Sequence, residues 1–222
     1  MKNSLSPVYW LWLPVIGIGL QILLEIFAAE DILAAAHAEN GPHETLQALL
    51  MVCGFFFSIY ALIRAKDILL KAWFGLAAIC CFYVAGEEVS WGQHIIDWAT
   101  PEYWGQINDQ NETNLHNTSS WFDQKPRLIL EVGIIFGGLV APFLKKRGLL
   151  KLPPKLDQLL PSPKLGVIAL LILVPKIIEK TFEIFDIVVF ARVSEVQELY
   201  MFYFVLIYLI MLHSNTSKNR IP

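Results

Sequence analysis

Glu87 and Glu88 stand side by side inside an apolar run, within Gly86-Glu87-Glu88-Val89-Ser90-Trp91-Gly92-Gln93-His94. On one continuous helix Glu87, Ser90, Trp91 and His94 follow i, i+3, i+4, i+7 and so share a face. A carboxylate and an imidazole on one face can share a proton or ligate a metal. Carboxylates crowded in a low-dielectric setting hold protons to higher pH, which makes Glu87 or Glu88 the expected general acid or base. His94 and Glu131 are the further catalytic candidates. Glu87 lies one turn deeper than Trp91 and is expected to be the less hydrated, proton-carrying group, with Glu88 positioning it. Ser90 has no nucleophile elbow around it and is a weak nucleophile candidate.

A second polar segment follows. Residues 108–117 read Asn-Asp-Gln-Asn-Glu-Thr-Asn-Leu-His-Asn, with amides at Asn108, Asn111, Asn114 and Asn117. Glu112 and His116 stand i, i+4 if this part is helical. Such a density of amides suits the hydroxyls or phosphate of a polar headgroup, or the satisfaction of backbone at a re-entrant turn. Trp91 and Gln93 are counted with these substrate-binding candidates.

Further carboxylates fall at a similar depth. At a rise of about 1.5 Å per residue, Glu25, Glu87 and Glu179 lie about 22–27 Å along their helices from the opposite end. Glu44, Glu131, Glu195 and Glu198 lie within a turn or two of the same surface, and Gln47 follows Glu44 on its helix. A charge at the centre of a membrane helix costs about 2.5–3.5 kcal/mol on insertion scales, so these side chains are expected to face one another rather than lipid. Lys176, beside Pro175, forms a stripe with Glu179, Glu183 and Asp186 and is expected to pair with Glu179 or with a carboxylate of another helix. Glu44, Gln47, Lys176, Glu179, Glu195 and Glu198 complete the binding set, and Glu44, Glu87, Glu88, Glu131 and Glu198 are expected to converge around one outward-opening polar pocket. His37, His43, His94 and His116 suit zinc in principle. No HxxxH or HExxH spacing singles out ligands, so the sequence specifies neither metal nor cofactor.

The elements that must hold these residues follow from composition. Of 222 residues, 55 % are hydrophobic and 17 % charged, and the mean hydropathy is +0.51. A soluble domain carries about 25 % charged residues, so an ordinary soluble enzyme is excluded. A net charge of −3 offers phosphate no basic patch and excludes a nucleic-acid partner. Cys53, Cys80 and Cys81 sit in apolar runs with no metal or redox spacing. Six apolar stretches, near 8–29, 45–63, 68–95, 128–144, 165–190 and 196–212, match the about 20 residues that a bilayer crossing needs. The expected fold is a single all-α polytopic bundle of about six transmembrane helices over 1–222, with the lipid bilayer as its surroundings. A short interfacial helix is expected in the loop 96–127, opened by Thr100-Pro101-Glu102 and flanked by Trp98, Tyr103, Trp104, Trp121 and Phe122.

Most of the 17 lysines and arginines fall in one set of segments: Lys2, then Arg64 to Lys71, then Lys145 to Lys164, then Lys218 and Arg220. The positive-inside rule then makes both termini cytoplasmic and the loops near 30–44, 96–127 and 191–195 external.

Together, Gly-Glu-Glu-Val-Ser-Trp-Gly-Gln at 86–93, Thr-Pro-Glu at 100–102 and the amide run at 108–117 resemble a family of bacterial multi-pass inner-membrane proteins without an assigned activity. The resemblance covers about 32 residues, with a weaker similarity around Glu44 and Gln47. It implies a bacterial inner membrane and a signature over 86–117. Three functions fit the residues: an enzyme working from the outer surface on a lipid or lipid-linked substrate by acid/base chemistry, an assembly subunit docking a periplasmic partner, and a proton- or ion-coupled transporter subunit.

Overall fold

The computed structural model describes residues 5–38, 41–108, 110–190 and 192–218, and within these the side chains of all but His94, Ser120, Asp123 and Lys218. Among the described residues every regular element is helical. Helix α1 spans Val8–Phe27, its first turn π-helical, and a short α2 covers Glu30–Ala36. Helix α3 is Pro42–Arg64 and α4 is Ile68–Glu88. Two short helices follow, α5 (Gln93–Ile96) and α6 (Glu102–Ile107). Helix α7 runs through Ser120–Ile135, a π-helical turn Phe136–Val140 and Ala141–Lys146. A single turn α8 (Pro154–Asp157) leads to α9 (Gly166–Glu183) and the long α10 (Val193–Lys218).

Local chemistry sets the boundaries. Pro42 occupies the first turn of α3, where its missing N–H is no loss, and Glu44 adds a carboxylate at the positive end of the helix dipole. The Asp67 side chain caps α4 by accepting from Leu69 N and Leu70 N at 2.9 and 3.2 Å. The short link between α3 and α4 leaves them antiparallel neighbours along their whole length. Within α9, Pro175 cannot donate to the preceding turn, and Gln197 of α10 donates instead to the Ile172 carbonyl there at 3.1 Å.

Helix α10 is the axis of the bundle. In its apolar stretch 56 % of residues are buried, against 11 % for α1. Val196, Met201 and Leu209 pack with Leu165, Ile168 and Ile172 of the α9 region and with Phe74 of α4 in one core. Tyr200 of α10 reaches α1, its hydroxyl donating to the Pro14 carbonyl at 3.0 Å.

Among the described residues, five helices are long and apolar enough to cross a membrane: Val8–Phe27, Pro42–Arg64, Ile68–Glu88, Gln124–Lys146 and Val193–Ser217. Their outward faces expose Phe56, Ile63, Ile68 and Ile79, which is compatible with a multi-pass membrane protein. The expected fifth span, 165–190, differs. Its helix ends at Glu183, Asp186 has a positive φ of 56°, and residues 187–190 form no helix. The stripe Lys176–Glu179–Glu183–Asp186 is therefore broken before its last member. The expected third span, 68–95, is also cut short, at Glu88.

Candidate functional site: an acidic pocket beneath the α4–α7 connection

The reason α4 stops at Glu88 is a run of left-handed backbone. Ser90, Trp91 and Gly92 have φ of 45°, 55° and 104°. For a residue with a Cβ, each such conformation costs roughly 1–2 kcal/mol, so surrounding contacts must hold it. Trp91 supplies one. Its ring lies on Gly86, where any Cβ would come within 2.8 Å of the indole. Its indole N–H donates to Glu87 Oε1 at 2.7 Å. The shared helix face expected for Glu87, Ser90, Trp91 and His94 does not exist. The His94 side chain lies outside the described residues.

The segment 108–118 folds down onto this turn. Leu115 N and His116 N donate to Glu87 Oε2 at 2.7 and 2.8 Å, and His116 Nδ1 lies 3.5 Å from the same oxygen. Beside it, Glu112 Oε2 accepts from Ser90 Oγ (2.9 Å), Asn114 Nδ2 (2.6 Å) and Asn117 Nδ2 (3.1 Å). Asn108 closes the loop, donating to Asn114 Oδ1 at 2.8 Å while its own oxygen accepts from Gln110 N and Glu112 N. Gln93 bridges both strands of the connection: Thr113 N and Oγ1 donate to its oxygen, and its amide donates to Thr100 Oγ1 at 2.8 Å. Thr100 Oγ1 in turn donates to the Asn111 carbonyl.

These bonds change the expected roles. Asn108 and Asn114 are buried, and with Gln93 they satisfy the loop's own polar groups instead of presenting amides to a ligand. Asn111 is exposed, with a positive φ of 56° at the bend. Glu112 and His116 are not a helical i, i+4 pair, because 110–115 forms no helix. Glu87 accepts from three N–H donors, and so docks the loop while also lining the cavity below it.

Under the loop lies a cavity of about 140 Å³. Glu44 of α3, Glu87 and Glu88 of α4, Glu112 and His116 of the loop, and Glu195 and Glu198 of α10 meet there. Arg127 of α7 is the cationic wall, its Nη1 donating to Glu198 Oε1 at 2.9 Å. Apolar closure comes from Tyr83, Leu130, Met201 and Phe202. Asn117 also lines the cavity. Within it Glu88 is distinct: among the described residues its carboxyl has neither hydrogen-bond nor ion-pair partner. No spacing in the sequence singles out Arg127, because its partner Glu198 lies far along the chain.

Several candidates sit elsewhere. Glu131 does not line the cavity; it pairs with Lys176 Nζ at 3.1 Å, joining α7 to α9. Glu179 Oε2 accepts from Val189 N and Phe190 N at 3.3 and 3.1 Å, tying off the non-helical segment after α9. Gln47 is fully buried behind the pocket wall, its amide donating to the Glu195 carbonyl at 2.9 Å. Trp91 packs against Phe82 and Tyr83 outside the cavity. Among the described residues no three His, Cys, Asp or Glu side chains converge as a metal site requires. Compared with family models, curated proteins and solved structures, the chain matches none.

Proposed function

We propose that this chain is a bacterial inner-membrane protein, both termini cytoplasmic, whose acidic pocket opens at the periplasmic face and performs acid/base chemistry on a lipid or lipid-linked substrate. Glu88 is the acid or base. The observation that carries this reading is its unpartnered carboxyl in a polar cavity where Glu87, Glu112 and Glu198 are each held by donors. A carboxyl without a protein partner is the one that can meet a substrate's proton or hydroxyl. Arg127 supplies positive charge for an anionic headgroup or a developing oxyanion, and His116 stands at the loop wall. In this reading α9 crosses as the sixth span, and α6, with Tyr103 and Trp104, lies in the outer interface.

The 86–117 segment, on which the resemblance to the multi-pass family rests, is in this reading the roof of the substrate pocket. A second reading, an assembly subunit docking a periplasmic partner, is favoured by that loop's closed hydrogen bonding, which makes a rigid platform.

Lipid mass spectrometry of membranes from cells carrying no copy, wild type or Glu88→Gln distinguishes the two. The enzyme reading expects a lipid-linked species whose level changes with wild type and returns to the no-copy level with Glu88→Gln, at equal protein abundance. Full retention of the change by Glu88→Gln rejects the acid/base role.

A further inference from the structure

Away from the pocket, α1, α2 and α3 enclose a second polar cluster. The Glu25 side chain is fully buried, His37 is 5 % exposed and His43 7 %. Gln21 Nε2 donates to Glu25 Oε1 at 2.9 Å, and His37 Nε2 meets the same oxygen at 2.8 Å. His43 Nε2 lies 2.9 Å from Gln21 Oε1, and His43 Nδ1 lies 2.7 Å from the Ala36 carbonyl. The two imidazoles stack with centroids 4.5 Å apart and planes 9° from parallel. His37 Nδ1 is buried without a partner among the described residues, so the ring's hydrogen belongs on Nε2, donating to Glu25.

The proton count of this chain has two solutions. A carbonyl only accepts, so His43 Nδ1 carries a hydrogen. With the Gln21 amide nitrogen towards Glu25, its oxygen faces His43 Nε2, which must then also carry a hydrogen: an imidazolium opposite an ionised Glu25. With the amide turned by half a turn, its NH₂ donates to a neutral His43 Nε2 and its oxygen accepts from a protonated Glu25. Both arrangements satisfy the Gln21, His37 and His43 bonds given above with the same atoms.

We infer that Gln21, Glu25, His37 and His43 form a proton relay in which one proton passes between His43 and Glu25 through the Gln21 amide. In the forward step the His43 Nε2–H bond breaks and an O–H bond forms on Gln21. At the same time a Gln21 N–H bond breaks and an O–H bond forms on Glu25. The transient imidic acid returns to the amide, its own proton moving from oxygen to nitrogen, and turns. Two charges are neutralised and no electron changes hands. The stacked rings disfavour two imidazoliums, which keeps the relay at one mobile proton. The charged or titratable groups around His43 are Glu25 from α1, His37 from α2, Glu195 from α10 and its neighbour Glu44 on α3. Glu195 also lines the acidic pocket, so the relay abuts the pocket without depending on its chemistry.

The test uses the full chain in nanodiscs with nitrogen-15 imidazole labelling, the His43 signals being identified by their loss in His43→Asn. Imidazolium and neutral forms should coexist in exchange. Their ratio should change less than twofold over one pH unit, because the proton comes from Glu25 and not from solvent. An isolated histidine changes this ratio by about tenfold over the same interval near its midpoint. Glu25→Gln, which keeps hydrogen bonding but cannot take the proton, and Gln21→Met, which removes the bridge, should each leave one form. A single form in wild type, or the tenfold response, overturns the relay without reference to any variant's folding. Persistence of both forms in a folded Glu25→Gln or Gln21→Met protein overturns it too.

Discussion

Trp91 donates its indole N–H to Glu87 Oε1 at 2.7 Å across a chain reversal and not along a helix face. The same carboxylate takes the backbone N–H groups of Leu115 and His116, from residues far along the sequence. Glu87 thus joins the end of α4, the left-handed turn and the loop roof. Its neighbour Glu88 has the opposite environment, facing the cavity without a partner among the described residues.

Glu87→Gln should therefore unfold the roof. Hydrogen bonds to a charged group contribute about 1.5–3 kcal/mol each, so losing the acceptor charge should cost about 2–4 kcal/mol once neighbouring bonds compensate. Thermal unfolding in detergent should show the drop, and limited proteolysis should cut within 108–118 sooner than in wild type. Unchanged melting and cleavage would contradict the docking role.

Glu88→Gln should behave differently. No protein bond is lost, and Gln keeps the shape of the carboxyl among its carboxylate neighbours, so stability should stay within about 0.5 kcal/mol of wild type or rise. The measurement is the same melt, run beside Glu87→Gln. A loss matching that of Glu87→Gln would show that Glu88 is structural.

The Glu131–Lys176 pair links α7 to α9 at the level of the apolar spans. Glu131→Gln or Lys176→Met alone leaves one charge uncompensated and should cost about 1–3 kcal/mol, between exposed and buried pairs. The double variant should recover most of that loss. Additive destabilisation in a double-mutant cycle would mean that the pair does not act as one unit.

For the orientation, single cysteines at Gln110 and Lys146, both exposed, replace the native Cys53, Cys80 and Cys81 as labelling sites. A membrane-impermeant reagent on intact spheroplasts should label position 110, and position 146 only after permeabilisation. The reverse pattern inverts the topology.

The spans were legible in the sequence because an apolar helix in lipid is a local property: enough consecutive apolar residues satisfy their own backbone and need no partner. That rule located α1, α3, α7 and α10 to within a few residues, and the start of α4. It overextended the third and fifth spans, because periodicity continues through Ser90 and Asp186 while their positive φ ends the helix. Of the carboxylates expected to converge, Glu44, Glu87, Glu88 and Glu198 line the cavity and Glu131 does not, since rise per residue gives depth along a helix but not the neighbour met there.

What each polar group does was decided by tertiary structure alone. Composition shows that Asn108, Asn114, Gln93 and Glu112 can make hydrogen bonds. It does not show that they spend them on one another, which depends on the loop 108–118 reaching the end of α4. Glu87 and Glu88 have identical chemistry and adjacent positions and line one cavity, yet only Glu87 anchors the loop, because successive residues on a helix point about 100° apart. The partner met at each angle is set by a segment distant in sequence. The same holds for His37 and His43: nothing in their spacing announces a carboxylate and an amide from α1, and only the packing of three helices brings Gln21 and Glu25 to them.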